Sequence, residues 1–275
     1  MALPFVPSDA AALCLQAAVV AAPKPAPRLA IADRLRGPWW ALVPIGSIVV
    51  VVFAIRFLSD TASGLTYLAL VAVPPLAAAA LGWASRGSRP LAAIGAGALF
   101  AIAWAAHKTL VGEGAAALLE ALSCVTLGVL LATVTPPKWL KLGIVAMACA
   151  DTWLVVSDLL QAPNASLVAA RPAGGLPQLQ SVLFGSVSLG YGDLYVAALL
   201  GAVLASHPAR QRSAAVLTLL IAALFDLLFL VLHELPATVP VALALIAVEA
   251  WPRVRNLSVA RSRSTPGDAI PRPAK

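Results

Sequence analysis

The feature that constrains this chain most is the grouping of its apolar residues into eight stretches of near-membrane length, joined by short links rich in Pro, Gly and Arg. The stretches run over roughly 39–57, 65–85, 91–111, 115–135, 139–160, 181–205, 213–233 and 235–252. A helix needs about 20 mostly apolar residues to cross the hydrocarbon core of a bilayer, and each stretch approaches or exceeds that length. With 61% of its 275 residues hydrophobic and only 11% charged, the chain does not have the make-up of a soluble domain. The expected fold is therefore all-α: a polytopic membrane helical bundle of about eight transmembrane helices, nine if one is missed.

Basic residues give the segments a direction. Lys24, Arg28, Arg34 and Arg36, then Arg86 and Arg89, Lys138 and Lys141, Arg210 and Arg212, and the six cations from Arg253 onward fall in alternate links; only Arg56, Lys108 and Arg171 fall in the others. Cytoplasmic links hold the excess of Lys and Arg, so both termini are expected in the cytoplasm. Trp39, Trp40, Trp83, Trp139 and Trp251 sit at segment ends facing the same side, where aromatic belts form. The formal charge of +7 is thus topological: the bilayer is the expected partner, and nucleic acid is not. Compact links without appended domains fit a bacterial plasma membrane.

Four regions follow: a cytoplasmic tail over 1–37, disordered or interfacial; an N-terminal transmembrane bundle over 38–135; a catalytic-type transmembrane bundle over 136–252; and a basic cytoplasmic tail over 253–275. The apolar run 10–22 contains Gln16 and is too short to span. Asp9 stands near its start, where a signal peptide would be basic.

Two carboxylates interrupt the second bundle, Asp151 in Ala150-Asp151-Thr152-Trp153 and Asp193 in Leu189-Gly190-Tyr191-Gly192-Asp193. A carboxylate at membrane depth costs about 3 kcal/mol on insertion scales, so two in consecutive segments point to a use. Asp151 lies near the middle of 139–160 and Asp193 at the middle of 181–205. Consecutive segments run antiparallel, which puts the two at nearly the same depth on helices that can pack about 8–10 Å apart. Aspartates in contact cannot easily both ionise, and they share a proton. One then serves as base on a water while its protonated partner polarises a scissile carbonyl. Gly190 and Gly192 clear space beside Asp193 for local unwinding, water and an extended peptide. Ala197, Gly201 and Ala205 form a small-residue ridge one turn on. The last segment opens with Leu235-Pro236-Ala237-Thr238-Val239-Pro240, whose prolines leave backbone donors and acceptors free to pair with an extended substrate.

The other polar residues carry less. Asp158 follows Asp151 on the same helical face, about 10.5 Å along, and is expected to be interfacial, near Arg56 or Lys108. Asp226 is a group for gating, cation binding or hydrogen bonding. Glu120 and Glu249 fall near segment ends, where side chains snorkel. The histidines are scattered and Cys14, Cys124 and Cys149 form no CxxC, so neither a metal site, a cofactor nor a disulfide framework is expected. No serine with an evident base suggests a serine mechanism.

An aspartate in one apolar helix, GxGD in the next and Pro-Ala at the start of the last resembles the GxGD intramembrane aspartyl proteases, the presenilin and signal peptide peptidase family. The resemblance covers about 139–252 in the family's motif order. A Tyr precedes the first aspartate in that family, where this chain has Ala150, and the family's Pro-Ala-Leu is matched by Pro236 and Ala237 with Thr238 in place of Leu. The resemblance implies a nine-helix fold, with Asp151 and Asp193 as the catalytic pair. It assigns Leu189, Gly190, Tyr191, Gly192, Pro236, Ala237 and Thr238 to the active-site loop and substrate positioning. It implies single-span membrane proteins or signal-peptide remnants as substrates, and the expected orientation is similar to that of signal peptide peptidases. Prepilin peptidases also use GxGD; a Lys stands there two residues after the aspartate, where this chain has Tyr195, and Asp158-Leu159-Leu160 faintly resembles their first site. A transporter or scaffold using the same buried acids is the third reading.

Overall fold

The computed structural model describes residues 7–25, 34–57, 61–157, 159, 161–185, 187–230 and 235–250. The helices are α1 (Pro7–Ala21), α2 (Leu42–Phe57), α3 (Thr61–Ala79), α4 (Ile94–Ala105), α5 (Leu110–Val134), α6 (Pro137–Val156), the short α7 (Gln161–Ala169), α8 (Tyr191–Leu204), α9 (Pro208–Asp226) and α10 (Val239–Ala250). One hairpin, β1 (Ser181–Phe184) with β2 (Val187–Gly190), precedes α8. Among the described residues, four helices are long and apolar enough to cross a membrane: Pro38–Ile55, Thr61–Ala84, Leu110–Val134 and Pro137–Val156. Pro7–Ala21, Pro90–Ala105, Tyr191–Leu204 and Val239–Ala250 are apolar but shorter, so the described residues do not show eight full-length spans.

Helix α5 forms the middle of the bundle, packed on α8, α3, α4, α1 and β1. Its start is set by Thr109, whose hydroxyl accepts from the Gly112 N–H at 3.3 Å and caps the first turn. Two glycines then let backbones approach. A Cβ on Gly128 would stand 2.9 Å from the Ala198 carbonyl of α8, and one on Gly201 would overlap the Val20 carbonyl of α1. Within lipid, where apolar burial does not draw helices together, such close small-residue contacts supply the association.

Three expectations are corrected. Over residues 7–21 the expected disordered or interfacial tail is instead helix α1, set in the core with Val19 and Val20 buried. The run is too short to span lipid alone, but one face of it packs against the bundle, and its Gln16 amide finds the Ala237 carbonyl. Helix α1 runs parallel to α8: Ser8 meets Gly185 of the hairpin, while the Val20 carbonyl meets Gly201. Pro7 therefore lies at the hairpin end of the bundle, and Glu249, paired with Lys141 at the start of α6, lies at the other.

The segment 181–205, expected as one span, divides into the hairpin and the 14-residue α8. Gly185, at φ 59°, takes the left-handed turn that reverses the chain, and Gly190 is extended at φ −68°, ψ 144° as the cap of α8. Likewise α4 ends at Ala105, where 91–111 was expected to continue. The tail 253–275 lies outside the described residues.

Lys24, Arg86, Arg89, Lys138, Lys141, Arg210 and Arg212 gather at the end away from the hairpin. Contacts from Arg86 to the Ala205 carbonyl and Gln211, and from the Lys24 N–H to Ala84, draw several of their links together.

Candidate functional site

Asp151 stands on α6 five residues before Val156, and Asp193 is the third residue of α8. The first helix runs toward the hairpin and the second away from it, so both acids sit near the same end. Asp193 is therefore in a first helical turn, not mid-span as the hydropathy suggests. Helix α6 packs on α8, and the two carboxylates are near enough to interact electrostatically. Each remains partly accessible to solvent.

Each carboxylate is held by its own neighbours. Asp193 Oδ2 accepts the Gly190 N–H at 3.1 Å, closing the helix start on itself, and a Cβ on Gly190 would lie 3.0 Å from the same oxygen. Gly192 has no atom within 4 Å of where its Cβ would be, which leaves that side of Asp193 open. Asp151 Oδ2 accepts the Thr238 hydroxyl at 2.6 Å and, more weakly, the Thr238 N–H at 3.5 Å. Pro236, Ala237 and Thr238 form the turn before α10: the Pro236 carbonyl accepts from the Val239 N–H at 3.2 Å and the Thr238 carbonyl from the Ala242 N–H at 3.1 Å. Thr238 is 3% exposed.

Tyr191 points back into the bundle. Its hydroxyl and the Ser123 hydroxyl of α5 are hydrogen-bonded at 2.8 Å, and its carbonyl accepts the Cys124 thiol at 3.7 Å. Leu189 pairs with Val182 across the hairpin. The hairpin tip is tied to α5, where Glu113 Oε2 accepts the Gly185 N–H at 2.8 Å. The structure thus brings the two aspartates, the GxGD backbone and the Pro-Ala-Thr turn to one end of the bundle. No protein-family model, curated protein or solved structure matches the chain.

Other acids lie elsewhere. Asp226 is buried and hydrogen-bonds Asp9 of α1. Glu120, expected to snorkel from a segment end, is 0% exposed, and neither of its carboxyl oxygens has a hydrogen-bond partner. The correction follows from the Thr109 cap: α5 begins at Leu110, so position 120 falls well inside the helix. Asp158 and the whole of Arg56 beyond its backbone lie outside the described residues. Among the described residues no three His, Cys, Asp or Glu side chains form a metal-sized cluster.

Sequence reasoning missed two members of this region, Ser123 and Gln16. A hydroxyl or amide in an apolar run is a faint signal that becomes informative only once its helix neighbours are known. The hairpin had a clearer one: two four-residue runs rich in Val, Leu and Phe, Ser181-Val182-Leu183-Phe184 and Val187-Ser188-Leu189-Gly190, separated by Gly185-Ser186, form a strand, turn and strand pattern.

Proposed function

We propose that the chain is an intramembrane aspartyl protease that cleaves single-span membrane proteins or signal-peptide remnants between Asp151 and Asp193. The observation that carries this reading is the packing of α6 on α8 with their carboxylates at one end of the bundle, near enough to interact electrostatically, each oriented by a separate donor and each partly exposed. Asp151, anchored through Oδ2 by Thr238, takes a proton from the attacking water as its oxygen bonds to the carbonyl carbon. Asp193 gives the shared proton to the carbonyl oxygen. On collapse, Asp151 returns a proton to the amide nitrogen as the C–N bond breaks, and the diol returns one to Asp193, which restores the pair. The two-stranded hairpin before Asp193 offers a backbone edge on which an unwound substrate can lie as a further strand. The cation-rich end of the bundle is assigned to the cytoplasm, of a bacterial plasma membrane, by the positive-inside rule.

A proton- or cation-handling role draws on a different observation, the buried Glu120 and the Asp9–Asp226 contact. One experiment separates the readings. Purified protein in detergent is incubated with a single-span reporter; wild type cuts it, and Asp151→Ala and Asp193→Ala do not. Cleavage that persists in both variants removes the aspartyl-protease reading.

A further inference from the structure

Gln16 is 2% exposed within a helix otherwise made almost entirely of Ala, Val and Leu in its buried part. A buried amide without a partner is costly, and this one has a specific partner: its Nε2 donates to the Ala237 carbonyl at 2.9 Å. That carbonyl belongs to the same peptide unit as the Thr238 N–H. The unit is planar and trans, so its C=O and N–H point in opposite directions. One edge is fixed by Gln16, and the other faces Asp151 Oδ2 at 3.5 Å, with the Thr238 hydroxyl at 2.6 Å beside it. A bond of 3.5 Å is at the limit of hydrogen bonding, so a small rotation of the amide plane makes or breaks it.

Helix α1 is in turn pinned beyond Gln16. Gln211 Nε2 donates to the Val20 and Pro23 carbonyls at 3.0 and 2.9 Å, and the Arg86 N–H donates to the Ala22 carbonyl at 2.8 Å. Gln16 is thus presented to the Pro-Ala-Thr turn from a fixed helix.

We propose that Gln16 is a positioning residue for Asp151, acting by clamping the 237–238 peptide plane so that both Thr238 donors reach the carboxylate. The kinetic part rests on the protease reading; the contact itself does not. The test uses full-length protein labelled with 13C-aspartate, with the Asp151 carboxyl resonance identified by its loss in Asp151→Asn. Gln16→Met keeps the length of the side chain and removes the donor. It is expected to lower kcat on the single-span reporter roughly tenfold, the scale of one hydrogen bond, with KM within about twofold. It also moves the Asp151 resonance in the direction that Thr238→Val moves it. In the double variant Gln16→Met/Thr238→Val the two losses do not multiply, because both act through one residue. Gln16→Asn, which cannot reach Ala237, behaves like Gln16→Met and serves if the latter does not fold. An Asp151 resonance unmoved by either Gln16 variant, or losses that multiply, overturns the positioning role. Wild-type protein that cuts no reporter while the resonance still responds to Gln16 removes the protease reading and leaves the clamp standing.

Discussion

Thr238 places a hydroxyl 2.6 Å from Asp151 Oδ2. A hydrogen bond to a charged group contributes about 1.5–3 kcal/mol, so Thr238→Val, which keeps the shape and removes the donor, is expected to lower kcat on the reporter roughly tenfold to a hundredfold, with Thr238→Ser close to wild type. Equal rates in all three proteins would show that the hydroxyl has no part in orienting Asp151. Glu120 makes the opposite case, since a buried carboxyl with both oxygens unpaired is a cost without a return. Glu120→Met replaces it with an apolar group of similar volume and is expected to raise the unfolding free energy in detergent by about 1–3 kcal/mol, read as a higher melting temperature. A lower melting temperature would mean that a water or a moving side chain pairs with Glu120.

At the scale of elements, association rests on places where a side chain is missing. A Cβ on Gly128 would press into the Ala198 carbonyl of α8 at 2.9 Å, against backbone that cannot rotate away. Gly128→Val is accordingly expected to destabilise the bundle by about 1–3 kcal/mol or to push α8 off α5, with a lower melting temperature as the readout. A melting temperature equal to wild type would contradict that packing. Hydropathy made most of the helices legible, because apolar blocks of spanning length admit few alternatives. It failed where apolar residues do something else. In 181–190 they line a hairpin whose reversal depends on one left-handed glycine, and in 7–21 they line a helix too short to span that buries one face against its neighbours. The sequence singled out Asp151 and Asp193 as a candidate pair, but their depth did not follow from segment midpoints: Asp193 opens a helix because Gly190 caps it. Gln16 and Ser123 were hidden because their partners, Ala237 and Tyr191, are remote in sequence and are brought near only by the fold.

For the whole molecule, the added helix α1 changes the topology more than the site. Its hairpin-end start and cation-end finish leave Lys24 beside Arg86, Arg89, Arg210 and Arg212, so the asymmetry of charge survives while Pro7 moves to the end opposite Glu249. Net transfer of these cations across a bilayer is opposed both by desolvation and by the positive-inside bias, and on that ground the orientation proposed above puts the cation-rich end in the cytoplasm. That assignment places the hairpin, the aspartate pair and the Pro-Ala-Thr turn toward the outer face. Single cysteines test it in a background where the exposed Cys14 and Cys149 are replaced by Ala and the buried Cys124 is kept. Ala173→Cys, exposed on the link between α7 and the hairpin, is expected to react with a membrane-impermeant maleimide in intact cells. Ser206→Cys, exposed between α8 and α9, is expected to react only after permeabilisation. The reverse pattern would invert the molecule and send the site to the cytoplasmic face, and equal labelling of both in intact cells would mean that the hairpin and α8 between them do not separate two compartments.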